Sequence, residues 1–392
     1  VSATNLKIAQ LRCYFPEQFM FGTILISIVT LMHVYVFWRA VSVPFITSHI
    51  PKEMIIGTGV ILWILFYLGR VYGHHGVEIP AKILEFLGMS WMGGLFLIFV
   101  CLLAVDVITG FGLFLPRLAS KLRGLAIGMG IGLSVIALIQ GLRPPVIENY
   151  DVYLSELPNE MDHTVIIALS DLHLDSLLGP RWLQARIGQI KQQKPDLVVL
   201  LGDIFEAQGE CGDELLKVMN RLSAPLGVWA VYGNHEFYRG YDQSEALINK
   251  AKFKVLRNCW TELRSGFILA GVDDLTTIQR RTGQVSHYLS KTLAGRPPGA
   301  TILLSHTPWE TEKAAKAGVG LMLCGHTHGG QIWPFDYLVK RRYPLFEGRY
   351  KVNGMTVIVS RGTGTWGPRM RLWRPGEILR VTLHRKVNPL PR

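Results

Sequence analysis

The chain has 392 residues, a mean hydropathy of +0.26 and a formal net charge of +12. That length allows more than one folding unit, and that hydropathy argues against an ordinary soluble protein. Five cysteines, at 13, 101, 211, 259 and 324, form no CxxC pair and no framework spacing, so a disulfide-stapled scaffold is excluded.

Apolar residues concentrate in the first third. Segments at about 21–38, 53–71, 91–114 and 123–141 read as four membrane-spanning helices of a unit covering residues 1–143. Trp38, Trp63 and Trp91 lie at or near segment ends, as interfacial aromatics do. A signal peptide would account for the first segment alone. Gly128, Gly130 and Gly132 predict close helix packing. Asp106 within the third segment predicts either a helix-end or bundle-interface role or a functional charge. Four spans put both termini on one side. Cations divide almost evenly, and the third-loop cluster of Arg117, Lys121 and Arg123 tips that loop towards the cytoplasm. Residues 144–162 read as a partly extended linker, and 163–392 as a second domain.

In that domain, buried strands are expected at 164–170, 196–201, 227–232, 301–304 and 319–323, with helices at 180–193 and 212–222. Each strand runs directly into residues that can bind metal. These are Asp171-Leu172-His173, Gly202-Asp203, Gly233-Asn234-His235-Glu236, Ser305-His306 and Gly325-His326-Thr327-His328-Gly329-Gly330. Active sites of α/β sheets gather at the carboxyl ends of strands. His326 and His328, two residues apart, leave such a strand on the same side. Taken singly, each residue fits a cap or turn; together they make a set of oxygen and imidazole ligands. Asp171, His173, Asp203, Asn234, His306, His326 and His328 are too many for one ordinary ion and suit two that share a carboxylate. Asp273 and Asp274 read as a structural turn, with orientation of a ligand histidine as the alternative.

These five blocks, with Ser170-Asp171-Leu172-His173-Leu174, the Gly-Gly-Gln after His328 and the run Arg361-Gly362-Thr363-Gly364-Thr365-Trp366-Gly367-Pro368, resemble the calcineurin-like metallophosphoesterase superfamily. The nearer likeness is to its bacterial membrane-associated YkuE/YaeI-like branch. The resemblance covers roughly 160–385 and leaves the membrane unit out. It implies an α/β/β/α four-layer sandwich and a dinuclear centre of Mn, Zn or Fe. Asp171, His173 and His328 would hold one ion, Asn234, His306 and His326 the other, and Asp203 would bridge them. His235 would contact the phosphoryl group and protonate the leaving oxygen, and Phe205 and Glu206 would shape substrate choice.

The expected function is therefore phosphoester or pyrophosphate hydrolysis by a membrane-anchored enzyme, multi-pass in a bacterial inner membrane, with the catalytic domain leaning to the extracytoplasmic side. A lipid-linked substrate or a phosphorylated small molecule fits. The alternatives are a phosphodiesterase or nuclease acting on soluble nucleotides, and a non-catalytic metal-binding sensor. Nucleic acid is not an expected partner. Basic and aromatic residues interleave at 366–374 and 337–342, which suits lipid headgroups, an anionic substrate or a plain solvated loop.

Overall fold

The computed structural model describes residues 3–73, 78–175, 177–206, 212–239 and 241–386. It divides into two compact units. One comprises residues 1–142 with 367–370, the other 143–366 with 371–392.

Among the described residues of the first unit, four helices are long and apolar enough to cross a membrane: Gly22–Ala40, Lys52–Val71, Ile79–Ile108 and Pro116–Leu142. The third departs from the expected 91–114. Pro80 at its first turn suits an earlier start. Gly110, Phe111 and Gly112 all take positive φ and so cannot continue a right-handed helix, which ends it before Phe114. Asp106 is fully buried in the bundle. Arg39 Nε lies 2.6 Å from its Oδ2, Arg123 Nε donates to its Oδ1 at 2.8 Å, and Tyr35 donates its hydroxyl to Oδ2 at 2.5 Å. Arg123, counted above as a loop cation, is thus buried and paired.

The second unit is built on strands β1 (Val146–Leu154), β2 (Val165–Leu169), β3 (Leu197–Leu200), β4 (Val228–Ala230), β5 (Lys254–Val255), β6 (Cys259–Arg264), β7 (Phe267–Val272), β8 (Ala300–Ser305), β9 (Leu321–Cys324), β10 (Gly348–Val352), β11 (Met355–Val359) and β12 (Glu377–Arg385). They form two six-stranded sheets, ordered β1-β12-β2-β3-β4-β5 and β10-β11-β9-β8-β7-β6. β2, β3 and β4 are parallel neighbours, as are β7, β8 and β9.

Period-two alternation makes the layers. Ile166, Ala168, Leu197 and Val199 face inward against Leu269, Ile302, Leu304 and Leu323 of the other sheet. Ile167, Leu169, Val198 and Leu200 face outward onto the helix Pro180–Gln192 through Leu183, Ile187 and Ile190. On the far side, Leu303, Met322 and Val357 pack on the helices Leu275–Thr282 and Val285–Leu293. The result is an α/β/β/α four-layer sandwich.

Residues expected to be a linker instead contribute β1, which pairs in parallel with β12 from Val146 opposite Glu377 to Leu154 opposite Arg385. The reason is its position at the sheet edge. Val152 and Leu154 are buried while Asn149, Asp151 and Tyr153 on the opposite face are exposed, so its composition reads as polar. Cys101, Cys259 and Cys324 are free thiols; the side chains of Cys13 and Cys211 lie outside the described residues.

Candidate metal centre

The parallel strands deliver their carboxyl ends to one place. Beyond β2 come Asp171 and His173, beyond β3 Asp203, beyond β4 Asn234 and His235, beyond β8 His306, and beyond β9 His326 and His328. All are buried except His326, which is half-buried. Asp171, His173, Asp203, His326 and His328 take positive φ. For residues other than glycine this costs about 1–2 kcal/mol each, a strain concentrated at functional sites. The turns also need bare backbone. A Cβ on Gly233 would collide with the Asp203 carboxylate, and one on Gly325 with the Ser170 hydroxyl.

The ligand-type atoms form two groups around Asp203. In one, His173 Nε2 lies 3.2 Å from His328 Nε2, and His328 Nε2 lies 3.3 Å from Asp171 Oδ1. In the other, His306 Nε2 lies 3.1 Å from His326 Nδ1 and 3.3 Å from Asp203 Oδ2. The same Asp203 oxygen is 3.8 Å from His173 Nε2. Asp171-His173-His328 and Asp203-His306-His326 are each close enough to hold one ion.

The donor set fits divalent cations. At metal–nitrogen bonds of about 2.0–2.1 Å, two nitrogens on one tetrahedral ion stand about 3.3–3.4 Å apart, near the two imidazole–imidazole separations. Asp171 Oδ1 and Asn234 Oδ1 are buried with no hydrogen bond among the described residues, an arrangement that a cation would satisfy. Burial, with His306 nearby, pushes His326 down to about 3, and burial with His173 and Arg371 holds His328 well below its ordinary value. Both are thereby neutral, the form that ligates metal. Burial would raise the Asp203 carboxyl, but His306, His235 and His173 outweigh it and hold the group well below the usual range.

Several residues that sequence reasoning gave no such role support the candidate ligands. Glu206, expected to shape substrate choice, is buried and bridges two imidazoles. Its Oε2 is 2.9 Å from His173 Nδ1 and its Oε1 2.9 Å from His235 Nδ1. Glu206 and Asp203 raise His235 to about 9 against the opposing effect of burial. The Glu236 carboxylate accepts from the backbone N–H groups of Asp203, Gly233, Ile204 and Phe205 at 2.8–3.2 Å, tying the β3 and β4 loops together. Tyr343 Oη lies 2.8 Å from His326 Nε2. Arg371, fully buried, donates to the carbonyls of His328, Arg361, Gly362, Gly364 and Arg374. The run at 361–368 backs the first ligand loop, with Thr363 N donating to Ser170 O at 2.7 Å and Gly364 N to Asp171 O at 3.0 Å. Asp274 caps the helix Leu275–Thr282 by accepting from Thr277 N, and Asp273 grips Arg257, so this pair is a structural turn.

A family model described as calcineurin-like phosphoesterase matches residues 164–330. The chain is 33% identical over 249 residues to an uncharacterized metallophosphoesterase of Campylobacter jejuni, covering 62% of this chain and 65% of that protein. It is 33% identical over 275 residues to a transmembrane protein with metallophosphoesterase domain of Bos taurus, covering 66% and 62%. The chain thus spans less than two thirds of the length of these two relatives. With the uncharacterized metallophosphoesterase YkuE of Bacillus subtilis it shares 31% identity over 256 residues, covering 62% of this chain and 87% of that one. The chain belongs to the calcineurin-like phosphoesterase family.

Proposed function

We propose that the chain hydrolyses phosphoester or pyrophosphate bonds at a dinuclear centre held by Asp171, His173, His328, Asn234, His306, His326 and the shared Asp203. The observation that carries this is the two facing imidazole pairs, at 3.2 and 3.1 Å, on either side of Asp203 Oδ2. When bound, two divalent ions supply an activated water and offset charge on the phosphoryl oxygens. The remaining work falls to the chain. Asp203 and the imidazoles fix where the ions stand. His235 carries the proton for the leaving oxygen on Nε2, which is 4.0 Å from Asp203 Oδ2, while Glu206 holds the ring by Nδ1. Mn, Zn and Fe all suit such ligands.

A lipid-linked phosphate or pyrophosphate is the substrate class in this reading. Its support is the set of four candidate spans, which keep the domain beside a bilayer. A multi-pass place in a bacterial inner membrane, with the domain extracytoplasmic, completes it; a reporter fused at the C-terminus tests the side.

The test of the chemistry uses the purified full chain, stripped with a chelator and reloaded with Mn, Zn or Fe(II), on bis(p-nitrophenyl) phosphate. Turnover that returns with metal and is lost in Asp203→Ala and His235→Ala is expected. Stoichiometric metal binding without turnover for any of the three ions would overturn the enzymatic reading in favour of a sensor.

A further inference from the structure

The rim of the site carries exposed aromatic residues beside cations. Trp333, Phe335, Tyr337 and Leu338 follow the last ligand loop, and Trp366 and Trp373 flank the second segment; all six are exposed, Tyr337 and Leu338 at 63% and 64%. The two segments are fastened together. Gln331 Nε2 donates to Trp366 O at 3.0 Å and Trp366 N to Gln331 Oε1 at 2.9 Å. Leu372 N donates to Gln331 O at 2.9 Å, and Arg374 Nη2 lies 3.2 Å from Asp336 Oδ2. The helix Asp336–Arg342 ends in Lys340, Arg341 and Arg342, all exposed. Its one acid, Asp336, is buried and already shared between Arg374 and Lys340. The patch therefore presents Trp and Tyr rings with net positive charge.

That pairing has a specific match. Trp and Tyr favour the headgroup level of a bilayer, and Lys and Arg favour its anionic lipids. The patch also borders the candidate centre, because the Trp366 ring centre is 6.4 Å from that of His235. A contiguous exposed apolar patch with a basic edge marks an interaction surface.

We infer that residues 333–342, with Trp366 and Trp373, form an interfacial docking surface that seats the phosphoesterase domain on an anionic bilayer, with the metal site opening at the headgroup layer. Docking itself does not depend on turnover; its bearing on substrate rests on the hydrolase reading.

The experiment is hydrogen exchange on the full chain in three hosts: dodecyl maltoside micelles, nanodiscs of phosphatidylcholine, and nanodiscs containing phosphatidylglycerol. Amides of 333–342 should exchange about fivefold or more slowly in the anionic discs than in micelles. The variant Leu338→Glu/Arg341→Glu/Arg342→Glu should lose that protection while hydrolysing bis(p-nitrophenyl) phosphate within about twofold of the unmodified chain. Equal exchange in all three hosts overturns the docking surface. So does protection in micelles that rises with protein concentration, which would mean a second copy covers the patch. Failure of the unmodified chain on the aryl substrate, with protection intact, would sink the hydrolase reading and leave docking standing.

Discussion

The carboxylate of Glu206 lies 2.9 Å from Nδ1 of His235. Its other oxygen stands at the same distance from His173, so one buried side chain fixes both a candidate metal ligand and the candidate acid. Carboxylates behind ligating histidines set their tautomer, and removing them typically costs 10–100-fold. Glu206→Gln should therefore lower kcat on bis(p-nitrophenyl) phosphate by about 10–100-fold. Steady-state kinetics at saturating Mn check this, and an unchanged kcat would return Glu206 to a role in substrate choice alone.

Tyr343 reaches Nε2 of His326 at 2.8 Å from 17 residues further along the chain. Tyr343→Phe removes that hydroxyl, with its contact to Thr276, and keeps the ring. About tenfold weaker binding of one metal ion is expected, with the other ion unaffected. Metal titration against a competing chelator resolves the two sites. Two unaltered affinities would mean that the phenol only fills space.

How much of this was legible in the sequence follows from where each signal resides. The candidate ligand set was readable because β2, β3, β4, β8 and β9 are apolar runs that switch abruptly to Asp, Asn or His. β1 was missed because an edge strand with one wet face looks like a polar linker. The third apolar helix was misplaced at both ends, since Pro80 and the positive φ of Gly110, Phe111 and Gly112 override the apolar pattern. Glu206, Tyr343 and Arg371 act through contacts that only the folded topology creates. Glu206 lies three positions after Asp203, which gave a hint of location but none of its two imidazole partners.

Arg371 tests that tertiary layer directly. Its guanidinium serves five carbonyls at 2.7–3.3 Å, and burial lowers it to about 10. A lysine cannot reproduce this planar fork. Arg371→Lys should destabilise the phosphoesterase unit by about 2–4 kcal/mol through unpaired carbonyls. Its unfolding, followed by alkylation of the buried Cys324, should move to lower denaturant. An unmoved midpoint would mean that water replaces the fork at no cost.

The buried ion cluster of the membrane unit makes the last prediction. Asp106 is the one acid shown between Arg39 and Arg123, and it accepts from Tyr35 as well. Removing it leaves two guanidiniums buried together, and breaking a buried pair from one side costs about 3–5 kcal/mol. Asp106→Ala should lower the temperature at which Cys101, buried in the same bundle, becomes open to alkylation by roughly 10 °C. Cys324 belongs to the other unit and reports whether the loss stays local. Replacing all three charges, Arg39→Leu/Asp106→Leu/Arg123→Leu, should recover much of the shift, because no charge is then stranded. If Asp106→Ala leaves Cys101 protected at the original temperature, the cluster is hydrated in the bilayer and contributes little to holding the helices together. If the triple variant is worse than the single one, the ions contribute net attraction beyond their desolvation. Peptide-resolved mass spectrometry after a short alkylation pulse separates these outcomes, because it reads the two cysteines independently in the same sample.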